Sequence, residues 1–266
     1  MTCRRLALAQ TECQSSVMTE PPAGAEAAPT YALGPWRELR SGVYVAVAEP
    51  ESVNLGLIVG DQWALLVDTG SSPAHGHALR ASLTAVTDKP LTAAVITHWH
   101  YDHAYGLGAF DDVRRIAHES VGSRLASTEA AAEAARLGVD PDELGAPDVE
   151  LAVATAIDLG NRRVEIAHLG RGHTDGDLVV VVPDVDVLFT GDLIESAGPP
   201  SFGPDSVLDE WPATLDSVIG LMTAATLAVP GHGDPVGREF VFEQRGLIAA
   251  QAAEKNGPPK PGLPLV

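Results

Sequence analysis

The stretch AVITHWHYDH, residues 94–103, sets three histidines and an aspartate (His98, His100, Asp102 and His103) within six positions. The chain holds nine histidines and nineteen aspartates among 266 residues. Chance would place an H-x-H-x-D-H somewhere along it with odds of about one in a thousand. A strand-like apolar run leads straight into the cluster, which therefore stands where a strand ends and a loop begins. Imidazole and carboxylate are what zinc takes when thiolate is missing. Alternation along an extended segment points His98 and His100 to the same side, within reach of one ion. Asp102 and His103 lie beyond the strand, where a turning backbone can aim them at a second.

Thiolate is indeed missing from the body of the chain. Its two cysteines, Cys3 and Cys13, fall in the first fifteen residues, so neither a disulfide framework nor a cysteine nucleophile is expected further on. Three more ligand-type positions recur downstream: His173 in GRGHTDGD, Asp192 in LFTGDLIE and His232 in VPGHGDP. Each reads as a strand end in a glycine-rich turn, where the backbone must bend sharply and come close to the site. His75, His77, His118 and His168 read as ordinary core or surface residues.

Working outward, GVYVAVAE, VNLGLIVG and WALLVDTG are three short β-rich runs. A helix is expected over 71–88, with Ser72 as N-cap and Pro73 in its first turn. LTAAVIT delivers the cluster, VRRIAHES runs from strand into helix, and STEAAAEAARLG is a helix closed by Gly138. VDPDELGAPDVE reads as loop. In the second half, ELAVATAIDLG, RRVEIAHLG and DLVVVVPDVDVLFTGD supply strands, the last a pair turning at Pro183–Asp184. DEWPATLDSVIGLM and REFVFEQRGLIAAQAAEK read as helices, with the strand TLAVPGHG between them. Two β-rich halves with helices outside predict an α/β fold, a four-layer αββα sandwich of two mixed β-sheets flanked by helices. The expected divisions are a disordered leader over 1–30, a catalytic domain over 31–255 and a proline-rich tail over 256–266.

Seventeen basic against 36 acidic residues give a formal charge of −19, which repels phosphate backbones and anionic membranes. A small-molecule substrate is therefore expected, with neither nucleic acid nor membrane as partner. Arg4, Arg5 and LALA fall far short of a signal peptide, and Met18 is an alternative start. A cytoplasmic location is the simplest expectation.

Taken together, these residues resemble the metallo-β-lactamase superfamily. The resemblance spans roughly residues 40 to 240, with five motifs in family order: VDTG with Asp68, the histidine cluster, GHT, TGD and GHG. It implies that His98, His100 and His173 hold one metal and Asp102, His103 and His232 the other, with Asp192 bridging both. It also implies that Asp68 supports the site without binding metal; the lesser alternative is a turn-forming aspartate before Thr69–Gly70. Two Zn(2+) ions so placed would generate a bridging hydroxide that attacks a carbonyl group, with Asp102 orienting it or taking its proton. No G-x-S-x-G motif favours a serine hydrolase.

The expected function is hydrolysis of a small lactone, ester, thioester or amide. In zinc β-lactamases with a cysteine ligand, that cysteine takes the place of Asp192, and a lysine three residues on grips a substrate carboxylate. Here Glu195 stands in that place, which argues against β-lactams. Glyoxalase-II-like thioesterases carry a helical C-terminal domain for which the 34 residues after His232 leave no room. A mononuclear Fe enzyme resembling persulfide dioxygenases is the alternative. Candidate substrate contacts are Tyr101, Arg171, and Phe202 and Trp211 in or beside the 195–211 loop. Tyr101 also reads as a mouth-lining aromatic without that duty, Arg171 reads first as an exposed loop residue, and Trp211 also reads as packing its helix on the sheet.

Overall fold

The computed structural model describes residues 31–256. The expected leader with Cys3, Cys13 and Met18 lies outside the described residues, as does the expected tail except Asn256, which ends the last helix. The first half runs β1 (Ala32–Leu33), β2 (Arg37–Arg40), β3 (Val43–Glu49), β4 (Val53–Val59), β5 (Ala64–Val67) and α1 (Pro73–Ser82). It continues with β6 (Leu91–Val95), α2 (Tyr101–Ala104), β7 (Arg114–His118), α3 (Glu119–Leu125), α4 (Thr128–Leu137) and β8 (Val149–Leu151). The second half holds β9 (Ala154–Asp158), β10 (Arg163–Ala167), β11 (Val179–Val182), β12 (Val187–Glu195), α5 (Trp211–Leu221), β13 (Leu227–His232) and α6 (Arg238–Asn256). No helix among the described residues is long and apolar enough to cross a membrane.

The strands form one hydrogen-bonded path, β8-β7-β6-β5-β4-β13-β12-β11-β10-β9, with β3 beside β4 and β1 and β2 on β3. The path has two limbs, each of mixed direction, joined only where His232 of β13 pairs with Val53 of β4. The two expected sheets are these limbs, and apolar packing stacks them face to face. Period-2 alternation splits their residues between layers. Leu65, Val67, Val95 and Ile116 of the first limb meet Val164, Ile166, Val180 and Phe189 of the second. Leu55, Leu66 and Ile96 turn outward onto Leu79, Phe110 and Val121 beneath the first set of helices. On the far side, Val179, Leu188 and Leu193 pack against Trp211, Leu215, Val241 and Ile248 of α5 and α6. Three apolar interfaces between four layers make the αββα sandwich. Gly56 permits the close approach at its centre, because a Cβ there would lie 2.4 Å from the Phe189 ring.

Local signals behave as their chemistry dictates. The Ser72 side chain accepts from His75 N at 3.1 Å to open α1. Ser127 does the same for α4, which closes on Gly138 at φ +70°. Two readings need correction. ELAVATAIDLG is not one strand: it breaks between β8 and β9, which lie at opposite ends of the strand path, because the chain changes limb there. The 139–150 loop likewise contains a 3₁₀ turn at Pro141–Glu143 and the start of β8, whose backbone is satisfied by β7.

Candidate metal centre

Every candidate ligand arrives at one end of the sandwich. Asp68 follows β5, and His98 and His100 follow β6. Asp102 and His103 sit in the single turn of α2, His173 follows β10, and His232 ends β13. The extended-segment argument for His98 and His100 fails in detail, because β6 stops at Val95 and residues 97–100 form a bend. They converge nonetheless, through different ring nitrogens: His98 Nε2 lies 3.1 Å from His100 Nδ1, and His173 Nε2 lies 2.9 Å from that same atom. Asp192 is not at a strand end either. It lies inside β12, where the register against β13 slips on both sides of Gly191, and such an irregularity re-aims a side chain.

Asp192 stands between two groups of donors. Its Oδ2 faces His173 Nε2 at 3.4 Å and His98 Nε2 at 3.8 Å, while its Oδ1 faces His103 Nε2 at 3.2 Å and His232 Nε2 at 3.7 Å. Asp102 Oδ2 completes the second group, 3.1 Å from His232 Nε2 and 3.6 Å from His103 Nε2. Ligand atoms of His98, His100, His173 and Asp192 lie within 4.8 Å of one another, as do those of Asp102, His103 and His232. Asp192, Glu195 and His232 form a third, overlapping set.

The electrostatics of these buried groups suit cations. Burial, then the charge of neighbouring His103, holds His98 well below the ordinary histidine range, and burial holds His173 at about 4. Both therefore present free lone pairs at neutral pH. Burial also opposes charge on His103, but Asp192, Asp102 and Asp68 outweigh it and hold that imidazole well above its usual range. His232 rises to about 9 against burial, through its hydrogen bond to Asp102. Burial disfavours the Asp192 carboxylate, yet His103, His173 and His98 bring it well below its usual range. His103 Nε2 and Asp192 Oδ1 are buried without a hydrogen-bond partner. Unsatisfied donor atoms facing one another in a dry site are the signature of a place for metal ions, so the residues present fit the group.

A second layer fixes the first. Asp68 is buried at φ +60°, a conformation uncommon outside glycine. It accepts from Thr97 N at 2.7 Å and Thr97 Oγ1 at 2.9 Å, and faces His103 Nδ1 at 2.8 Å, which leaves His103 Nε2 for the site. Sequence reasoning missed the equivalent for His100. Asp205 faces His100 Nε2 at 3.1 Å and accepts from Trp99 Nε1 at 2.9 Å, which turns His100 Nδ1 inward. Burial opposes its ionisation, but the His100 contact brings its carboxyl down to about 2. Asp205 lies over a hundred residues from its partners in a loop of common residue types, and no local pattern marks it.

A cavity of about 700 Å³ opens over the site, walled by Trp99, Tyr101, Tyr105, the exposed face of α4 and part of the 195–211 loop. Tyr101 is on this wall. Three other expected contacts are not. Trp211 is fully buried beneath α5 and donates to Leu193 O at 3.1 Å, so it packs its helix. Arg171 is exposed and ion-paired to Glu210, away from the cavity. The loop does line the cavity, but through Ser201, Gly203, Pro204 and Asp205, while Phe202 turns edge-on to Trp211 at 5.7 Å between ring centroids. Glu129, Glu133 and Arg136 stand on the α4 wall, which the sequence marks only as a helix closed by Gly138.

The family model for the metallo-β-lactamase superfamily matches residues 48–236. A type 2 metallo-β-lactamase of Bacillus cereus is 28% identical over 216 residues, covering 80% of this chain and 78% of its own. The acyl-coenzyme A thioesterase MBLAC2 of Bos taurus is 26% identical over 216 residues, covering 71% and 76%. Among solved structures, a metallo-β-lactamase from Pontibacter korlensis superposes with a TM-score of 0.65 at 23% identity, over 80% of this chain and 98% of its own.

Proposed function

The chain belongs to the metallo-β-lactamase superfamily, and from that premise we propose that it is a two-metal hydrolase of small carbonyl compounds: lactones, esters, thioesters or amides. The observation that carries this reading is Asp192, whose two oxygens face two separate ligand groups. His98, His100 and His173 would hold one ion, and Asp102, His103 and His232 the other, with Asp192 shared. Zinc suits this nitrogen and oxygen set. Two such ions, when bound, supply a water acidified toward neutrality and a Lewis-acid pull on a carbonyl oxygen.

The chain's own residues position and protect that chemistry. Asp102 lies at the cavity floor with its carboxylate stabilised by His103 and His232 against burial, so it can orient the attacking water and accept its proton. Asp68 and Asp205 hold His103 and His100 in the tautomers that present the correct nitrogen. Trp99 and Tyr101 exclude bulk water from one side. Burial, then the hydrogen bond to Glu51, holds the Tyr101 phenol far above its ordinary range, so it remains a neutral donor. Thioesters and esters rank ahead of β-lactams, because the cavity has no uncommitted lysine or arginine to receive a carboxylate. The relatives named above act on either kind of substrate, one a lactamase and one a thioesterase by name. An acidic chain taking a small-molecule substrate in the cytoplasm fits the same reading.

Metal content by inductively coupled plasma mass spectrometry, on protein purified without added metal, is the direct test. Near two equivalents of zinc are expected, with thioester or lactone hydrolysis that chelation abolishes and zinc restores. One equivalent of iron, or hydrolysis indifferent to chelators, would overturn the reading.

A further inference from the structure

The second group of candidate ligands has one carboxylate more than the motifs account for. Glu195 ends β12 beside His232, its register partner on β13. Ligand atoms of Asp192, Glu195 and His232 lie within 4.8 Å of one another. The placement is built from buried contacts. Gln244 of α6, 3% exposed, accepts from Glu195 N at 3.0 Å and donates to Leu193 O at 2.9 Å, which clamps the end of the strand. Glu195 Oε1 accepts from Ala197 N at 3.0 Å, which fixes the carboxylate and leaves Oε2 uncommitted. His232 Nδ1 donates to Glu51 O at 2.9 Å, so its Nε2 is left for the site. The third member of the set, Asp192, keeps Oδ1 buried without a hydrogen-bond partner, 3.7 Å from that Nε2.

The first group has no counterpart. His98, His100 and His173 share Asp192, and the carboxylate beside them, Asp205, is spent on the outer nitrogen of His100. With Glu195 counted, the two groups differ in kind. One offers three nitrogens and the shared aspartate; the other offers two nitrogens and three carboxylates. Imidazole suits zinc, whereas carboxylate oxygen suits harder ions such as manganese.

We infer that Glu195 is an eighth ligand, binding the second ion through its free oxygen and raising that site's affinity for oxygen-seeking cations. The inference rests on the two-metal reading above, and it leaves the other seven ligands in place. Zinc still binds such a set more tightly than manganese, so the expected occupancy is unchanged; the third carboxylate narrows the margin.

Calorimetric titration of the metal-free full chain with zinc and with manganese tests this in the parent, in Glu195→Gln and in Glu195→Ala. The glutamine keeps an oxygen for Ala197 N, so the local turn survives while the charge is lost. One of the two manganese steps should weaken by roughly tenfold or more in both variants, since damage to a mere support of a ligand already costs that much. The matching zinc step should weaken less, and the other step of each metal should not move. In cobalt(II)-substituted Glu195→Ala, the visible ligand-field bands of one ion should shift while those of the other stay constant. Manganese affinity unchanged in Glu195→Ala overturns the ligand role; two equivalents bound by the parent would then leave the two-metal centre standing. A parent that takes up only one ion of either metal overturns both. Uptake of two ions that depends on Glu195, without hydrolysis of any ester, thioester or lactone, keeps the ligand and discards the hydrolase.

Discussion

Gly231 is held at the site by what it lacks. A Cβ there would fall 1.8 Å from Asp192 Oδ1 and 3.0 Å from the His103 ring, so the backbone of β13 itself walls the shared carboxylate. Gly231→Ala must displace Asp192, and the expected result is loss of at least one metal equivalent, with affinity down by roughly 10- to 100-fold, as for damage to a ligand's support. Two tightly held equivalents in that variant would show that Asp192 does not need its observed position. Asp177 carries a different prediction. Burial lifts its carboxyl to about 7, although Thr174 N and Oγ1 donate to it and favour the carboxylate. Between about pH 4 and 7 the unfolded chain has released this proton and the folded chain retains it, so Asp177 weakens folding increasingly as pH rises through that window. The stability of Asp177→Asn relative to the parent should rise by up to a few kcal/mol from pH 4 to 7 and stay level above it, as measured by urea unfolding. A difference independent of pH would show that the three donor contacts keep the carboxylate ionised. The seven ligand candidates were legible because metals demand rare residue types in tight spacing. Asp205 and Glu51 were not, because an aspartate or glutamate in a loop is common and its partner is chosen only by folding.

At the scale of elements, the expected strands and helices mostly formed where periodicity and caps placed them, and the informative failures lie at their edges. Leu91–Val95 stops short of the histidines because the chain must leave the sheet to bring two imidazoles onto one point. Strand β12 runs past Asp192 because a register irregularity turns that side chain without ending the strand. Helix α5 resolves the two readings of Trp211: it is the largest fully buried side chain in the structure, and its indole is satisfied by Leu193 O. Trp211→Ala should cost about 3–5 kcal/mol of stability, in line with large-to-small core substitutions. Arg171→Ala, which breaks only an exposed ion pair, should cost less than about 1 kcal/mol and leave KM unchanged. Chemical denaturation and steady-state kinetics separate the two. A stable Trp211→Ala with a raised KM would restore that tryptophan to the pocket wall. Helix α4 was visible as a helix from Ser127 and Gly138, but its duty as a cavity wall depends on its packing over α2, where Tyr105 donates to Ala130 O.

For the whole molecule, the metal centre lies across the seam between the limbs. His98, His100, Asp102 and His103 come from the first half, and His173, Asp192 and His232 from the second. The strand path crosses the seam at one register pair, so the bound ions would act as a staple between limbs otherwise joined by apolar packing and a few hydrogen bonds, such as Leu178 N to Thr97 O at 2.7 Å and Asn54 Nδ2 to Pro230 O at 3.0 Å. Binding only to the folded chain would add about 4 kcal/mol at a thousandfold excess over Kd. Chelation should therefore lower Tm by roughly 8–16 °C, given about 2–4 °C per kcal/mol for a domain this size, with recovery on adding zinc. An unchanged Tm after verified metal removal would show that the seam does not need the ions.

Family, layered α/β architecture and ligand candidates were legible in the chain read alone, because each depends on local pattern: alternation, capping residues, and metal-ligand residue types in or just beyond strands. Folding alone selects which ring nitrogen each histidine presents, places Asp192 between two groups of candidate ligands, and chooses the residues of the cavity wall. Many of those contacts join residues far apart in the chain, as His103 with Asp192 and His100 with Asp205 do, and they are selected by the packing of the two limbs, which no local stretch of sequence encodes.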